Sequence, residues 1–235
     1  MSMTGLLVVP AGLFLDRLLG EPRSFHPLVG FGQISERVEL CLNNASRARG
    51  ILAWAALVLP LTAAAALVES FQVVGPATTL LLLYVSLGGR SLAEHAGRVA
   101  GALEAGESER ARLLIGGLVS RDTTDLSDSG VARATVESVL ENGNDAIFGA
   151  LFWFLLAGAP GVVLYRLANT LDAMWGYRTE RFLKFGWAAA RIDDLLNVVP
   201  ARLTAASYAL MGATGNALAC WRDQGAEWES PNAGP

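Results

Sequence analysis

Four long stretches without a charged residue most constrain how this chain can fold. They cover residues 50–68, 70–89, 146–165 and 203–221, and each approaches the roughly 20 apolar residues that an α-helix needs to span a bilayer. A fifth apolar segment, from Met3 to Leu15, is shorter and has neither a basic start nor a small-residue cleavage site, so we interpret it as a retained membrane segment. The pattern predicts an all-α, polytopic helical membrane protein with about four to five hydrophobic segments.

The composition agrees with a membrane setting. Hydrophobic residues make up 52% of the chain and charged residues only 17%, where a soluble domain has about a quarter charged residues; the mean hydropathy is +0.39. The alternative is a very apolar soluble helical protein, because Gly and Pro interrupt several of the runs. We expect a multi-pass protein of the cell (inner) membrane, with the lipid bilayer and no nucleic acid among its partners.

The positive charges are grouped along the chain. Its 17 Arg and one Lys fall almost entirely in segments 17–49, 90–133 and 166–202, and such clusters mark the cytoplasmic side of a membrane. One full span at 146–165 would separate the last two segments onto opposite faces. The Gly-Ala-Pro-Gly motif at Gly158 to Gly161 would break a helix, so we predict a re-entrant helical hairpin that dips into the membrane and returns.

No repeat, low-complexity tract or linker divides the chain, so we expect a single membrane-embedded helical domain over residues 1–235. Within it, segment 90–145 is predicted to form helices outside the bilayer, because apolar residues there recur at helical spacing between charged breaks. A polar loop at 120–125 precedes a helix that begins near Asp128. Ser127 or Asp128 is suited to cap its free backbone donors.

Polar residues crowd the stretch from Tyr165 to Arg202, between two long uncharged runs. Ionisable groups at the centre of a bilayer cost about 2.5–3.5 kcal/mol each on insertion scales, so they seldom lie near hydrocarbon without a partner or a function. Asp193 and Asn197 are four residues apart and share one helix face, whereas Asp193 and Asp194 point about 100° apart. The crowding predicts a functional site.

Several of these residues also have an ordinary structural interpretation. Arg133 with Glu137, and Arg191 with Asp194, have the spacing of surface ion pairs within a helix. Glu141 has no cation four residues later and precedes an apolar run. For all of these residues, both a functional role and a purely structural role remain open.

The sequence offers no zinc site and no known phosphate loop. Cys41 and Cys220 are far apart and receive no role, and His26 and His95 are the only histidines. Any divalent metal would therefore be held by carboxylates and phosphates, as magnesium is. Lys184 does not lie in a G-x-x-x-x-G-K-[ST] motif, so ATP would have to be held by arginines and helix N-termini.

A series of short motifs runs almost from end to end of the chain. They are Asp16 to Pro22 with His26-Pro27, Arg90 to Leu92, residues 120–123, Glu137-Ser138 with Glu141-Asn142 and Asp145, Tyr165 to Asp172, Gly176 to Arg178, Phe185 to Asn197, Pro200 to Leu203, and Ser230 to Gly234. In this order and spacing the chain resembles the adenosylcobinamide-phosphate synthase family, integral membrane proteins of cobalamin biosynthesis. Glu21 stands where the family usually has Asp. Family members continue past the last motif, so the resemblance implies that a C-terminal part is lacking after Pro235.

The resemblance implies an ATP-dependent amide ligation that joins adenosylcobyric acid to aminopropanol phosphate. The substrate carboxylate would be activated as an acyl phosphate, and the amine would displace the phosphate. Such a reaction needs cations around phosphoryl oxygens, carboxylates that hold magnesium, and a base for the amine. ATP and Mg²⁺ are the implied cofactors, and other membrane enzymes of the cobalamin pathway are possible partners.

The motifs and the residue types together imply a set of site residues. The arginines would bind phosphates: Arg121, Arg166, Arg191 and Arg202. The acidic residues would hold magnesium or accept the amine proton: Asp122, Glu137, Glu141, Asp145, Asp172, Asp193 and Asp194. Within that set the catalytic candidates are Glu137, Glu141, Asp145, Asp193 and Asp194, and the magnesium ligands are Glu141, Asp145 and Asp193. Thr123, Asn142, Asn169 and Asn197 would bind and orient substrate. The sequence does not assign the base.

Two other classes of protein stay open. A membrane transporter would place polar residues on broken helices near the midplane and often shows repeated halves, whereas here the polar motifs lie mostly at segment ends. A membrane regulatory or sensor protein related to the family would have little need for so many Arg, Asp and Asn residues at such positions.

Overall fold

The computed structural model describes residues 3–22, 26–119 and 122–224, and this part of the chain is helical and contains no β-strand. The elements are α1 (Met3–Leu19), α2 (Pro27–Leu42), α3 (Arg47–Glu69), α4 (Gly75–Ser86), α5 (Gly89–Glu104), α6 (Ser108–Ile115), α7 (Asp128–Gly143), a π-helical turn (Asn144–Phe148), α8 (Gly149–Trp175), α9 (Trp187–Met211) and α10 (Thr214–Gln224). The all-α prediction is confirmed. The Oγ of Ser127 accepts a hydrogen bond from the Gly130 amide, so Ser127 is the predicted cap of α7.

The larger hydrophobic core forms where α3 packs against α8. Ala53 and Val58 of α3 are fully buried there, as are Val162 and Leu171 of α8. Helices α1, α2, α4 and α9 surround this pair. The core therefore holds α8 in the centre of the molecule, with α9 across it.

A smaller core joins α5, α6 and α7. It consists of the buried residues Val99, Ala102, Ala111, Ile115, Val131 and Ala134. Segment 90–145, predicted to lie outside the bilayer, thus packs largely on itself. Its position relative to a membrane stays a prediction.

Helix α8 reverses direction near its middle. Ala157 and Gly158 leave helical geometry, and Gly158 has φ +66°, a conformation that glycine adopts without a Cβ clash. The Nδ2 of Asn169 lies 3.1 Å from an Oδ of Asp145, although residues 24 apart in a straight helix would be about 36 Å apart. The chain from 144 to 175 is therefore an antiparallel helical hairpin, as the sequence predicted, and its insertion into a membrane stays a prediction.

The tip of this hairpin is tied to the far end of α3. The Glu69 carboxylate accepts a hydrogen bond from the Ala159 amide at 3.1 Å, and so caps the first turn of the returning arm. Pro160 lies in that first turn, where its missing N–H costs nothing. The glycine–proline motif does break the helix, with the break falling at Ala157 and Gly158.

Two helical stretches are long and apolar enough to cross a membrane, Arg47–Glu69 and Asp128–Trp175. Most side chains in both are not buried inside the protein, and Leu59, Leu67 and Leu156 are among the exposed apolar residues. These features indicate membrane association. The second stretch contains the hairpin, so it does not cross as one straight rod.

The other predicted hydrophobic segments are shorter as helices. Segment 70–89 contains α4, which has 12 residues, and segment 203–221 is divided at Gly212 between α9 and α10. A straight span needs about 20 residues. Of the four to five predicted hydrophobic segments, two lie in helical stretches long enough to cross a membrane in the described part of the chain, and the number of spans stays a prediction.

Candidate functional site

The base of the hairpin and the first half of α9 bring two carboxylates and two amides together. The Asn169 Nδ2 donates to the carboxylates of Asp145 at 3.1 Å and Asp193 at 3.4 Å. The Asn197 Nδ2 donates to the other oxygen of Asp193 at 3.1 Å. We call these four residues, Asp145, Asn169, Asp193 and Asn197, the floor.

Helix periodicity explains how α9 contributes to the floor. Asp193, Asn197, Pro200 and Thr204 follow one another at spacings of four, three and four residues, and all four are buried. Such spacing places them on one face of a helix. The face is polar because it packs against the base of the hairpin, where polar partners are available.

The π-helical turn presents Asp145 to that face. An extra residue in a helical turn shifts the side chains that follow, and π turns occur frequently at functional sites. Here the turn places Asn144 and Asp145 side by side, with the Asn144 Nδ2 donating to Asp145 at 3.0 Å and to the Asn197 Oδ1 at 2.9 Å. One short segment thus supplies both a carboxylate and the amide that holds it.

Three residues without a predicted role complete this network. The Tyr165 hydroxyl donates to the Asn197 Oδ1 at 2.9 Å, and the Thr204 hydroxyl donates to the Asn144 Oδ1 at 2.9 Å. Thr204 could have been found from its helical spacing to Asp193 and Asn197. Asn144 and Tyr165 offered a weaker signal, since each only borders the apolar run that forms the hairpin.

One carboxyl group of the floor, that of Asp193, has a pKa near neutrality. Burial of Asp193, with smaller contributions from the charges of Asp172 and Asp145, raises its pKa from 3.8 to about 7. Hydrogen bonds from Asn197 and Asn169 oppose the shift without cancelling it. A base whose pKa lies near the working pH is suited to proton transfer.

A cavity of about 2130 Å³ opens above the floor. Its acidic lining residues are Glu137, Glu141, Asp145, Asp172, Asp193 and Asp194, and its cationic ones are Arg47, Arg133, Arg178, Lys184, Arg191 and Arg202. Ligand pockets in proteins are commonly about 300–1,000 Å³. This cavity therefore has room for a large ligand, or for two ligands at once.

The far wall of the cavity is apolar. It is formed by α7, by the second half of α9 and by α10, with Val136, Leu140, Leu210 and Leu218 among its lining residues. Val136 is 59% exposed and Leu210 is 75% exposed. The cavity thus combines a polar floor, charged residues of both signs and an apolar wall.

Most of the predicted site residues meet at this cavity, and some lie elsewhere. Glu137, Glu141, Asp145, Asp172, Arg191, Asp193, Asp194, Asn197 and Arg202 line it. Arg166 and Asn169 lie directly behind Asp145, and the Arg166 Nη1 donates to the Asp145 backbone oxygen at 3.3 Å. Arg121 lies outside the described residues.

Asp122, Thr123 and Asn142 do not line the cavity and make local structural contacts. The Asp122 carboxylate accepts bonds from the amide and hydroxyl of Thr124, which lower its pKa. The Thr123 hydroxyl donates to the Arg112 carbonyl, and the Asn142 amide donates to Ser138. Polar side chains often stabilise neighbouring backbone in this way, and the role of these three residues in the site stays a prediction from motif and residue type.

Two of the cavity arginines already have partners on their own helix. Arg191 lies 3.5 Å from the Asp194 carboxylate, with 63% of its side chain exposed, as the ion-pair interpretation of this spacing predicts. The Arg202 guanidinium donates to the Val198 carbonyl at 2.7 Å. Both can turn toward a ligand because they are held only by local contacts.

Segments 20–49, 90–145 and 166–202, whose clustered cations predict a shared cytoplasmic face, contact one another. The Arg181 guanidinium binds the Glu39 carboxylate, and this links segment 166–202 to segment 20–49. Asn169 and Asp145 link segment 166–202 to segment 90–145. The cytoplasmic position of this face stays a prediction.

The fit of a magnesium ion can be examined from the donor set. In the described part of the chain no three His, Cys, Asp or Glu side chains are arranged to hold a metal, so the predicted set of Glu141, Asp145 and Asp193 is not preformed there. Magnesium usually takes only one or two protein carboxylates together with waters and substrate phosphates. Asp145 and Asp193, joined through the Asn169 amide, fit that requirement.

The chain is similar to proteins of a known family. The family model described as CobD/Cbib protein matches residues 9–235. "Cobalamin biosynthesis protein CobD" from Stutzerimonas stutzeri is 57% identical over 237 residues, covering 99% of this chain and 78% of the relative. Proteins of the same name from Chromobacterium violaceum and Mycobacterium tuberculosis H37Rv are 54% and 37% identical, covering 99% and 95% of this chain and 78% and 74% of the relatives. No solved structure gives a significant match.

Proposed function

The chain belongs to the CobD/Cbib protein family, and from this premise we propose that it acts in cobalamin biosynthesis as an adenosylcobinamide-phosphate synthase. In this proposal it joins adenosylcobyric acid to aminopropanol phosphate with ATP and Mg²⁺. It does so as a multi-pass protein of the cell membrane, with the α8 hairpin re-entrant and the cavity facing the cytoplasm.

One observation carries the proposal. Two carboxylates held by neutral amides, the buried Asp193 and the half-buried Asp145, lie at the bottom of a cavity of about 2130 Å³ whose lining also contains six cationic residues. Amide ligation driven by ATP needs this combination, because cations stabilise the phosphoryl oxygens and carboxylates hold the metal and accept the proton. The volume and the apolar wall suit a corrinoid, which is large and partly apolar.

The reaction assigns a task to each part of the cavity. The carboxylate of adenosylcobyric acid attacks the γ-phosphorus of ATP and ADP leaves, which gives an acyl phosphate. The amine nitrogen of aminopropanol phosphate attacks the acyl carbon, inorganic phosphate leaves and the amine gives up a proton. Arg191 and Arg202 bind phosphate oxygens, and rotation out of their local contacts brings their guanidinium groups to the ligand.

The two carboxylates of the floor have different tasks in this proposal. Asp145 accepts hydrogen bonds from Asn144 and Asn169, which fix its orientation as a magnesium ligand with Asp193 beside it. Bound magnesium would neutralise charge that develops on the phosphates. Asp193, with its pKa raised to about 7 by burial, is the candidate base for the amine proton when its carboxylate is not engaged with the metal.

Purified protein in detergent tests the proposal directly. It is incubated with ATP, Mg²⁺, adenosylcobyric acid and aminopropanol phosphate, and mass spectrometry follows the amide product and ADP. We expect product only when all four components are present. Absence of product from folded protein, under conditions where a 57% identical relative does form it, would refute the proposal.

A further inference from the structure

The first motif of the chain, Asp16 to Pro22, lies outside the cavity and borders the junction between α4 and α5, which contacts the turn that carries Asp145. The Gly88 amide donates a hydrogen bond to the Ala146 carbonyl at 3.2 Å. Ala146 directly follows Asp145 in the π-helical turn. The junction between α4 and α5 therefore supports the floor from behind.

Glu21 occupies the space beside this hydrogen bond. A Cβ atom placed on Gly88 would lie 2.6 Å from the Glu21 Oε1 and 3.5 Å from the Ala146 Cβ. Glycine at position 88 is thus what allows the Glu21 carboxylate to approach the π-helical turn. The close fit indicates a specific position for that carboxylate.

The loop that carries Glu21 is fixed on both sides. The Tyr84 hydroxyl donates to the Gly20 carbonyl at 2.6 Å, and the Arg90 guanidinium donates to the Leu18 carbonyl at 2.7 Å. The Asp16 carboxylate accepts a bond from the Arg90 amide at 3.1 Å and so caps α5. These contacts join the end of α1 rigidly to the start of α5.

Arg166 connects this junction to the floor. Its Nη1 donates to the Asp145 carbonyl at 3.3 Å and to the Asn169 Oδ1 at 3.4 Å, and its Nε is buried without a hydrogen-bond partner. Among the described residues Arg166 forms no ion pair within 4 Å. The charges of Asp145 and Glu21 both attract its guanidinium electrostatically.

We propose that Glu21 is a positioning residue, whose carboxylate holds the Arg166 guanidinium on the backbone of Asp145 and thereby fixes the π-helical turn. A buried guanidinium seeks an anion. With Glu21 in place, the Arg166 guanidinium is attracted both by the Glu21 carboxylate and by the carboxylates of the floor. Without that charge it moves toward the carboxylates of Asp145 and Asp193, and the turn loses one of its supports.

Four variants separate the charge of Glu21 from its shape and from general stability. Glu21→Gln removes the charge, Glu21→Asp keeps it, and Gly88→Ala pushes the carboxylate away by steric contact. Gly97→Ala is the matched control, because a Cβ at Gly97 meets nothing within 4 Å. None of these residues lies in the cavity.

Hydrogen exchange monitored by mass spectrometry is the first readout and needs no ligand. We expect faster exchange in peptides covering 144–148 for Glu21→Gln and Gly88→Ala, a smaller change for Glu21→Asp, and none for Gly97→Ala. Exchange in the smaller core of α5, α6 and α7 should stay as in the wild type. Unchanged exchange at 144–148 in both Glu21→Gln and Gly88→Ala would overturn the proposal, as would a uniform increase along the chain.

The second readout rests on the proposed function. We expect kcat for ligation to fall about tenfold in Glu21→Gln with KM values nearly unchanged, because a displaced Asp145 would orient the reacting groups less well, and Glu21→Asp to recover most of the loss. If the local exchange effect is present but even the wild type ligates nothing, the proposed function fails and the positioning role stands. If the wild type ligates and Glu21→Gln ligates equally well, the positioning role fails.

Discussion

Two buried carboxylates of this protein, Glu39 and Asp193, are held in opposite ways. Glu39 is 3% exposed and accepts hydrogen bonds from the Arg181 guanidinium and from the Asn43 amide at 2.6 Å. Asp193 is 8% exposed and is held by the neutral amides of Asn169 and Asn197. Among the described residues no cation lies within ion-pair distance of Asp193.

The difference supports a structural role for Glu39 and, under the proposed function, a catalytic role for Asp193. Arg181 holds the pKa of Glu39 below its ordinary value, so the charge of Glu39 is matched within the fold and fastens α2 to the 176–186 loop. Burial raises the pKa of Asp193 to about 7, because its charge finds no such match. A buried charge without an opposite charge in the fold is costly. Such a group is retained where a bound ligand or a proton neutralises it.

The largest predicted difference between the two carboxylates is the effect of their substitution on ligation activity. Asp193→Asn removes the candidate base while it keeps the shape of the side chain, so we expect ligation to fall by about 10²–10⁴-fold. Glu39→Gln should leave kcat per folded molecule nearly unchanged and lower the melting temperature in detergent. Rates of product formation, normalised to folded protein, provide the measurement.

Asp223→Asn is a suitable control, since its carboxylate is exposed and pairs with the adjacent Arg222. It should alter neither rate nor melting temperature. Near-normal turnover and an unchanged Mg²⁺ requirement in Asp193→Asn would remove Asp193 from the site.

A second prediction compares arginines at the cavity and at Glu39. Lys keeps the charge but loses the planar fork, so Arg191→Lys should weaken binding of ATP or aminopropanol phosphate by about 1–3 kcal/mol. Arg181→Lys should lower the melting temperature and leave both affinities unchanged. For Arg166→Lys the sequence predicted the same loss of affinity, whereas its contact with the backbone of Asp145 and its position outside the cavity lining predict unchanged affinities and a lower kcat.

Melting temperature and ligand affinity measured on the same three preparations decide this prediction. Lower stability with unchanged affinity in Arg191→Lys would show that its pairing with Asp194 is its whole role.

The smallest expected effect is on the pH dependence of stability, where the two carboxylates act in opposite directions. The folded state binds the Asp193 proton more tightly than the unfolded state, so stability should fall as the pH rises from about 4 to about 7. Glu39 has a lowered pKa, so its contribution is present at neutral pH and is lost as the pH falls below its ordinary value of 4.5. Melting temperatures between pH 4 and pH 8, without ligands, measure both.

The variants identify each contribution. Asp193→Asn should reduce the decline toward pH 7, and Glu39→Gln should reduce the loss at acid pH. A wild-type protein whose stability is flat from pH 5 to pH 8, and equal to that of Asp193→Asn, would contradict the raised pKa.

Much of the architecture followed from periodicity and composition. The helix cap at Ser127 and the hairpin near Gly158 were both predicted, because capping residues and a glycine–proline pair act locally. The meeting of Asp145 with Asn169 followed once the hairpin was accepted. Local sequence therefore determined where the chain turns back and, through that, which residues could face one another.

The rest depended on contacts between distant segments. Asp122 and Asn142 have the residue types of a site and yet bond to their own neighbourhood, a choice that residue type cannot reveal. Thr204 joins the floor only because α9 crosses the base of the hairpin. The ion pair of Glu39 with Arg181, 142 residues apart, is not indicated by any pattern in the sequence.

The hydrogen bond from the Ala159 amide to the Glu69 carboxylate also fixes the position of the hairpin tip along α3. Glu69 ends a helix of 23 residues, and the 12 helical steps from Asp145 to the hairpin tip correspond to about 18 Å. Since the tip is anchored to α3, the hairpin cannot slide along that helix. The floor therefore keeps a fixed position along α3, whatever the position of that helix in a membrane, and under the proposed function α3 sets the level at which the floor meets substrates arriving from water.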